Sequence, residues 1–174
     1  MSKKEDKKVN AYLSFRLGEE FFAIHVDRVH KIMEFSQITG IPKSPDYMKG
    51  VINLRGTVLP VIDTRVKFGM QPVEPSKSTS ILVIDVKIGN EMVKTGLLVD
   101  GVQAVEQLEE EDLLPPPGIG DRYKAGFISY MAKVKDKFYI VLDIDAVFSV
   151  DEQIDIRDIS KAGEQIVENN APGK

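Results

Sequence analysis

The chain contains no cysteine and no tryptophan, and only two histidines. Without cysteine there is no disulfide framework, a composition that suits a reducing cytoplasm. The apolar runs stay far short of the roughly 20 residues that a membrane helix requires, so bilayer insertion is not expected. His25 and His30 stand five positions apart with no third ligand type beside them, whereas a zinc site needs more donors. There is no phosphate-binding Gly-rich loop and no serine nucleophile elbow. Nor is there an excess of cations: the formal net charge is −4 with both signs interspersed, which offers no basic face for nucleic acid. The start, Met1 to Lys8, is charged without an apolar segment behind it and is not expected to act as a secretory signal. These absences leave a protein or small-molecule partner and call for no cofactor and no metal.

What is present is a repeat. Gly18, Val26-Asp27-Arg28-Val29, Ile41-Pro42, Tyr47 with Gly50, and Val61-Ile62-Asp63 closing on Phe68 recur in order as Gly89, Val99-Asp100-Gly101-Val102, Leu114-Pro115, Tyr123 with Gly126, and Val141-Leu142-Asp143 closing on Phe148. The offset drifts from 71 residues at Gly18 and Gly89 to 80 at Asp63 and Asp143, as small insertions in turns produce. The chain reads as two related units. On this alignment Asn53-Leu54-Arg55-Gly56 stands opposite Ser129-Tyr130-Met131-Ala132, so the second unit lacks the arginine. Shared residues are candidates for fold and unshared ones for function.

Within each unit, apolar residues alternate or run in blocks of about four to eight between glycines, the signature of strands. Leu13, Phe15 and Leu17, a turn at Gly18-Glu19, then Phe22, Ile24 and Val26 form a hairpin; Ile81–Ile88, Gly89-Asn90 and Met92–Val99 form its counterpart. Short helical turns are expected after each hairpin, with Asp27 and Asp100 accepting from free backbone N–H groups and Val29, Ile32 and Met33 sharing a face. Val51–Leu54 and Thr57–Asp63 flank the Arg55-Gly56 turn. Pro60 cannot donate a ladder hydrogen bond, so its strand is expected to be an edge or to carry a bulge there, and an edge is open to a partner. Five short strands per unit give an all-β chain of two five-stranded barrels packed side by side. The units are placed at 11–75 and 76–148, joined through the proline-broken Gln71–Ser78, with a disordered tail at 1–10. A charged tail at 149–174 is partly packed through Ile154, Ile156 and Ile159 and disordered from Asn169.

The block Tyr47-Met48-Lys49-Gly50-Val51-Ile52-Asn53-Leu54-Arg55-Gly56-Thr57-Val58-Leu59-Pro60-Val61-Ile62-Asp63, together with Val99-Asp100-Gly101-Val102, resembles the CheW family of chemotaxis adaptors from about Tyr12 to Phe148. The resemblance implies SH3-like barrels around a shared core, no catalytic activity, a cytoplasmic location, and two partners: the chemoreceptor cytoplasmic tip and the regulatory domain of the histidine kinase CheA. The same module occurs fused to a receiver, but residues 149–174 are too few for one, which favours a stand-alone adaptor. Position by position, Arg55 matches an arginine implicated in receptor coupling, Val29 an apolar groove position in the first unit, and Val102 and Val105 groove positions in the second; Ile32 is grouped with them. Gly50 and Gly96 match glycines that shape the backbone. Many members carry Glu where this chain has Lys31, so Arg55 here needs another carboxylate, and Glu34 is the nearest in sequence.

Each candidate has a plainer role to displace. An exposed arginine in a turn is ordinarily only solvated, and Arg55 stands out through its absence from the sister turn and through the family match. Val29, Ile32, Val102 and Val105 are core by default, and the groove reading fails if all are fully buried. Ile38, Ile41, Val58 and Leu59 form the candidate kinase contact, with core packing the plainer role for each. One aspartate per unit, Asp63 and Asp143, invites comparison with aspartic proteases, but the sequences Asp63-Thr64-Arg65 and Asp143-Ile144-Asp145 lack the glycine that such a site needs, leaving capping at strand ends. The alternative to an adaptor is a small-ligand or peptide sensor on paired barrels. The scarcity of aromatics speaks against an aromatic-lined pocket.

Overall fold

Two hairpins organise the chain. Ala11–Leu17 (β1) and Glu20–His25 (β2) pair antiparallel through a turn in which Gly18 has φ 60. Ser80–Ile88 (β6) and Glu91–Val99 (β7) repeat the arrangement through Gly89 at φ 62. In both, glycine supplies the left-handed backbone that a two-residue hairpin turn demands. The computed structural model describes residues 10–116 and 126–169, with 163–169 as helix backbone alone. The expected disordered stretch at 1–10 and the position Tyr123 lie largely outside these residues.

The remaining strands are Val29–Glu34 (β3), Met48–Leu54 (β4), Thr57–Asp63 (β5), Gly101–Gln107 (β8), Leu113–Leu114 (β9), Ile128–Val134 (β10) and Lys137–Leu142 (β11). They form a five-stranded sheet in the order β3-β6-β7-β5-β4 and a six-stranded sheet in the order β8-β1-β2-β11-β10-β9. The expected all-β architecture is present as two sheets whose ends do not join into closed barrels. The first five strands of the two orders correspond, with β9 additional in the larger sheet, yet each sheet takes a hairpin from the other half of the sequence. Hairpin β1-β2 sits between β8 and β11, and hairpin β6-β7 between β3 and β5. The spans 11–75 and 76–148 are therefore repeats of sequence, and neither holds all the strands of one sheet.

The structure also corrects the alignment of the repeats. The β4-β5 ladder shifts register between Met48 and Gly50, and the β10-β11 ladder shifts between Ile128 and Tyr130. Tyr47 O accepts from Asp63 N at 2.8 Å, and Phe127 O accepts from Asp143 N at 2.7 Å. Both pairs of landmarks are 80 residues apart, so Tyr47 corresponds to Phe127, and the extra residues of the second half precede β10. Consequently the counterpart of Arg55-Gly56 is Lys135-Asp136, with φ 49 and 67, and the sister turn does carry a cation.

Burial on both faces of the hairpins follows from the exchange. Phe15, Leu17, Phe22 and Ile24 meet Leu82, Ile84, Val86 and Ile88 in a central core between the sheets. The opposite faces close two smaller cores: Ala23 with Tyr139 and Val141, and Ile81 and Val83 with Ile52, Leu59 and Val61. An aromatic stack, Phe15–Phe22–Phe68–Phe127, with centroid separations of 5.6, 5.4 and 5.1 Å, threads the central core.

Three local expectations are revised. Only Val26–Arg28 forms a 3-10 turn after the first hairpin, and Val29, Ile32 and Met33 lie on strand β3 rather than on a helical face. β-Branched residues at the edge of a sheet explain the preference. After the second hairpin the chain passes straight into β8, and Asp100 caps no helix. Pro60 lies in an interior strand, opposite Val51; the β5-β7 ladder begins one residue later at Val61, and the bulge falls at Gly50. The edges are β3 and β4 in one sheet and β8 and β9 in the other.

The segment beyond the strands is more ordered than its charge suggests. Val150–Asn169 forms a helix (α3) across β5, burying Ile156 completely and Ile159 partly, while Ile154 stays 37% exposed. Ser149 caps it: its amide donates to Glu152 Oε1 at 2.8 Å and its Oγ accepts from Glu152 N at 3.2 Å, the reciprocal capping box.

Candidate functional site

The tip of the β4-β5 hairpin presents Arg55. Its two-residue turn has φ 51 at Arg55 and 85 at Gly56, and Asn53 Oδ1 accepts from Gly56 N at 2.9 Å. A positive φ at a residue with a Cβ carries roughly 1–3 kcal/mol of strain, so the arginine occupies a position that glycine would fill more easily. The side chain is exposed and, among the described residues, makes no hydrogen bond or ion pair. It borders a depression of about 470 Å3 together with His30, Lys31 and Lys94. Glu34, the carboxylate expected to hold it, is not among the residues of that depression. Arg55 therefore faces other cations instead of an acid.

Val29 and Ile32 lie on β3, and Val102 and Val105 lie on β8. These are corresponding edge strands, so the sequence repeat becomes a spatial correspondence between two sheet margins. Val29 and Val102 are half-buried against the central core, whereas Ile32 is 49% and Val105 63% exposed. The four are thus not fully buried, the condition that would have removed them from a binding surface. The kinase candidates divide. Ile38 and Ile41 are half-buried and reachable, but Val58 and Leu59 are 3% and 1% exposed and belong to the interior. The alternation seen in sequence could not separate them, because β5 is an inner strand buried on both faces.

The two passages from one sheet to the other are each held by an arginine and an aspartate. At the β7-to-β8 passage, Asp100 accepts from Arg65 Nε at 3.0 and 2.9 Å, from Arg65 Nη2 at 2.7 Å and from Gly18 N at 2.6 Å. At the β2-to-β3 passage, Arg28 Nη1 donates to Asp145 Oδ2 at 2.9 Å, Arg28 Nη2 donates to Asp85 O at 2.9 Å, and Asp145 Oδ1 accepts from Lys87 N at 3.0 Å. Arg65 and Asp145 occupy equivalent positions, 80 residues apart in short helices Thr64–Lys67 (α1) and Ile144–Val147 (α2), so the two clamps have opposite polarity. Burial works against ionisation of Asp100 most strongly, but Arg65 and the Gly18 amide outweigh it, and its carboxyl titrates below the usual range. For Asp145 the Arg28 hydrogen bonds dominate and push in the same direction. The clamps leave a trace in the sequence only as the endings Asp63-Thr64-Arg65 and Asp143-Ile144-Asp145, whose third residues are clamp partners with no local sign of the distant residue they meet.

Asp63 and Asp143 do cap, as expected: Asp63 accepts from Val66 N at 3.3 Å and Asp143 from Asp145 N at 3.2 Å. Gly50 and Gly96 shape the backbone for a steric reason. A Cβ on Gly50, at φ 150, would lie 2.1 Å from Thr39 O, and one on Gly96 2.9 Å from Ile81 Cγ2. Among the described residues no group of histidine and acidic side chains is arranged to hold a metal, and no helix is long and apolar enough to cross a membrane.

A family model for the CheW-like domain matches residues 11–152. The chain is 32% identical over 151 residues to the chemotaxis protein CheW of Klebsiella aerogenes, covering 87% of this chain and 89% of that one. It is 34% identical over 140 residues to the probable chemotaxis protein CheW of Rhizobium etli, covering 80% and 88% respectively. Among solved structures, the scaffolding protein TtCheW from Thermoanaerobacter tengcongensis superposes with a TM-score of 0.72 at 32% identity, covering 83% of this chain and 96% of that one.

Proposed function

The chain belongs to the CheW-like family of chemotaxis scaffolds, which are not enzymes, and from that premise we propose that it works in the cytoplasm as an adaptor joining the chemoreceptor tip to the kinase CheA. The observation that supports the receptor side is the pairing of margins: Val29 and Ile32 on β3, and Val102 and Val105 on β8, are apolar and at least partly accessible. A helical receptor tip offers an apolar stripe of the kind such margins can cover. Arg55, exposed and bordering the same depression as Lys31 of β3, is assigned the polar contact, since a planar guanidinium engages carboxylates and carbonyls without burying a compact ammonium. For the kinase, Ile38 and Ile41 carry the contact; Leu59 belongs to the buried cluster against which Ile38 packs, and Val58 lies in the interior. Two modest contacts suffice, because tethering both partners raises effective concentration without additional area.

The test is co-sedimentation of the chain with a receptor cytoplasmic fragment and CheA while kinase activity is followed. A ternary complex with altered kinase activity is expected. Absence of any complex at both low and moderate salt refutes the adaptor reading.

A further inference from the structure

The Arg55 depression does not end at the hairpin. It shares Thr57 and Lys94 with a second depression of about 450 Å3, whose far wall is helix α3 with Arg157 and Lys161. Along the joined surface lie Lys31, Arg55, Lys94, Arg157 and Lys161, against one carboxylate, Glu91. Glu91 stands 3.9 Å from Lys161 and Arg157 Nε 3.6 Å from Asp158, exposed pairs that neutralise little. Lys31, Arg55 and Lys94 are exposed and form no ion pair among the described residues. A cationic strip on a chain of net charge −4 is a local reversal of sign.

We propose that this strip, walled on one side by the Arg55 turn and on the other by α3, binds an acidic segment of a protein partner, and that α3 is consequently a binding element. The inference rests on the adaptor reading, in that the segment belongs to the receptor tip. Several observations favour a protein over other polyanions. The strip is concave on the scale of side chains, unlike the face that a flat membrane would need. Its lining holds the His30 imidazole but no Phe, Tyr or Trp ring, the broad platforms on which successive bases stack. Apolar surface, including Met92 at 55% exposure, lies between the cations, as suits carboxylates carried on apolar stems.

The experiment measures binding of the full chain and of a K94E/K161E variant to a receptor-tip fragment, at about 0.05 M and about 0.5 M salt, where screening differs strongly. The variant is expected to bind about tenfold more weakly at low salt and to lose most of the salt dependence. If the variant proves unfolded by circular dichroism, K94Q and K161Q are measured singly, each expected to lose part of the effect. Equal binding by the folded variants and the parent overturns the inference and leaves the adaptor reading standing. Failure of the parent chain itself to bind removes the adaptor reading and this inference together. Binding of the parent, but not the variant, to phosphatidylserine vesicles with receptor affinity unchanged also overturns it, assigning the strip to a lipid surface.

Discussion

Replacing Asp100 by Asn tests whether the passages between sheets are held electrostatically. The substitution keeps shape but removes the charge from a group that receives the Arg65 fork and the Gly18 amide, with side chains only 15% and 17% exposed for Asp100 and Arg65. A hydrogen bond to an ionised partner contributes about 1.5–3 kcal/mol, and breaking a buried pair leaves the other charge uncompensated, so the loss is set at about 3 kcal/mol. For a chain of this size that corresponds to a melting midpoint lowered by about 6–12 °C. The pH dependence has a definite sign. Asp100 titrates lower in the folded than in the unfolded chain, so its stabilisation is complete above the ordinary aspartate value near 3.9 and is lost as pH falls through the folded value. D100N should therefore show a shallower loss of stability on the acid side than the parent. Calorimetric or circular-dichroism melts of the parent, D100N, R65Q and the double variant supply both the size and the coupling. A D100N midpoint within about 2 °C of the parent at pH 7, with unchanged acid sensitivity, would refute the reasoning.

Exchange of hairpins predicts that residues 1–75 and 76–174, expressed separately, each fail to fold, and that mixing them restores β-sheet circular dichroism; a cooperative melt from either alone contradicts the topology. Gly50→Ala brings a Cβ to within 2.1 Å of Thr39 O and should lower stability by about 3 kcal/mol or more, read by denaturant midpoint. Arg55→Gly relieves the positive φ of 51 and should hold or raise stability by about 0.5–1 kcal/mol while abolishing kinase coupling; a large stability loss would instead make Arg55 structural. Phe15→Ala, at a fully buried position of the aromatic stack, should lose about 3–5 kcal/mol in the same denaturation assay.

Much of the architecture was legible in the chain. Period-two alternation and Gly18 and Gly89 specify the two hairpins locally, because glycine turn chemistry and strand patterning act within about ten residues. The family likeness likewise rests on a contiguous block, Tyr47 to Asp63. Misalignment of the sister turn arose where the anchors Tyr47 and Gly50 match Tyr123 and Gly126 by residue type, while the ladders equate Tyr47 with Phe127. Residue identity cannot decide between such registers; backbone pairing can.

Local periodicity and side-chain chemistry suffice to place two repeated sets of strands, the Gly18 and Gly89 turns, the Asp63 and Asp143 caps and an apolar interior. Packing between distant segments settles which hairpin joins which sheet, since an exchanged pairing satisfies the same alternation as an unexchanged one. It also decided that Val58 and Leu59 are interior and that Arg65 and Arg28 clamp opposite passages. Finally, it gathered Lys31, Arg55, Lys94, Arg157 and Lys161, dispersed along an acidic chain, into one strip. Charge along a sequence averages to an overall sign, whereas the field a partner meets depends on which charges folding brings within a Debye length, about 10 Å at 0.1 M salt.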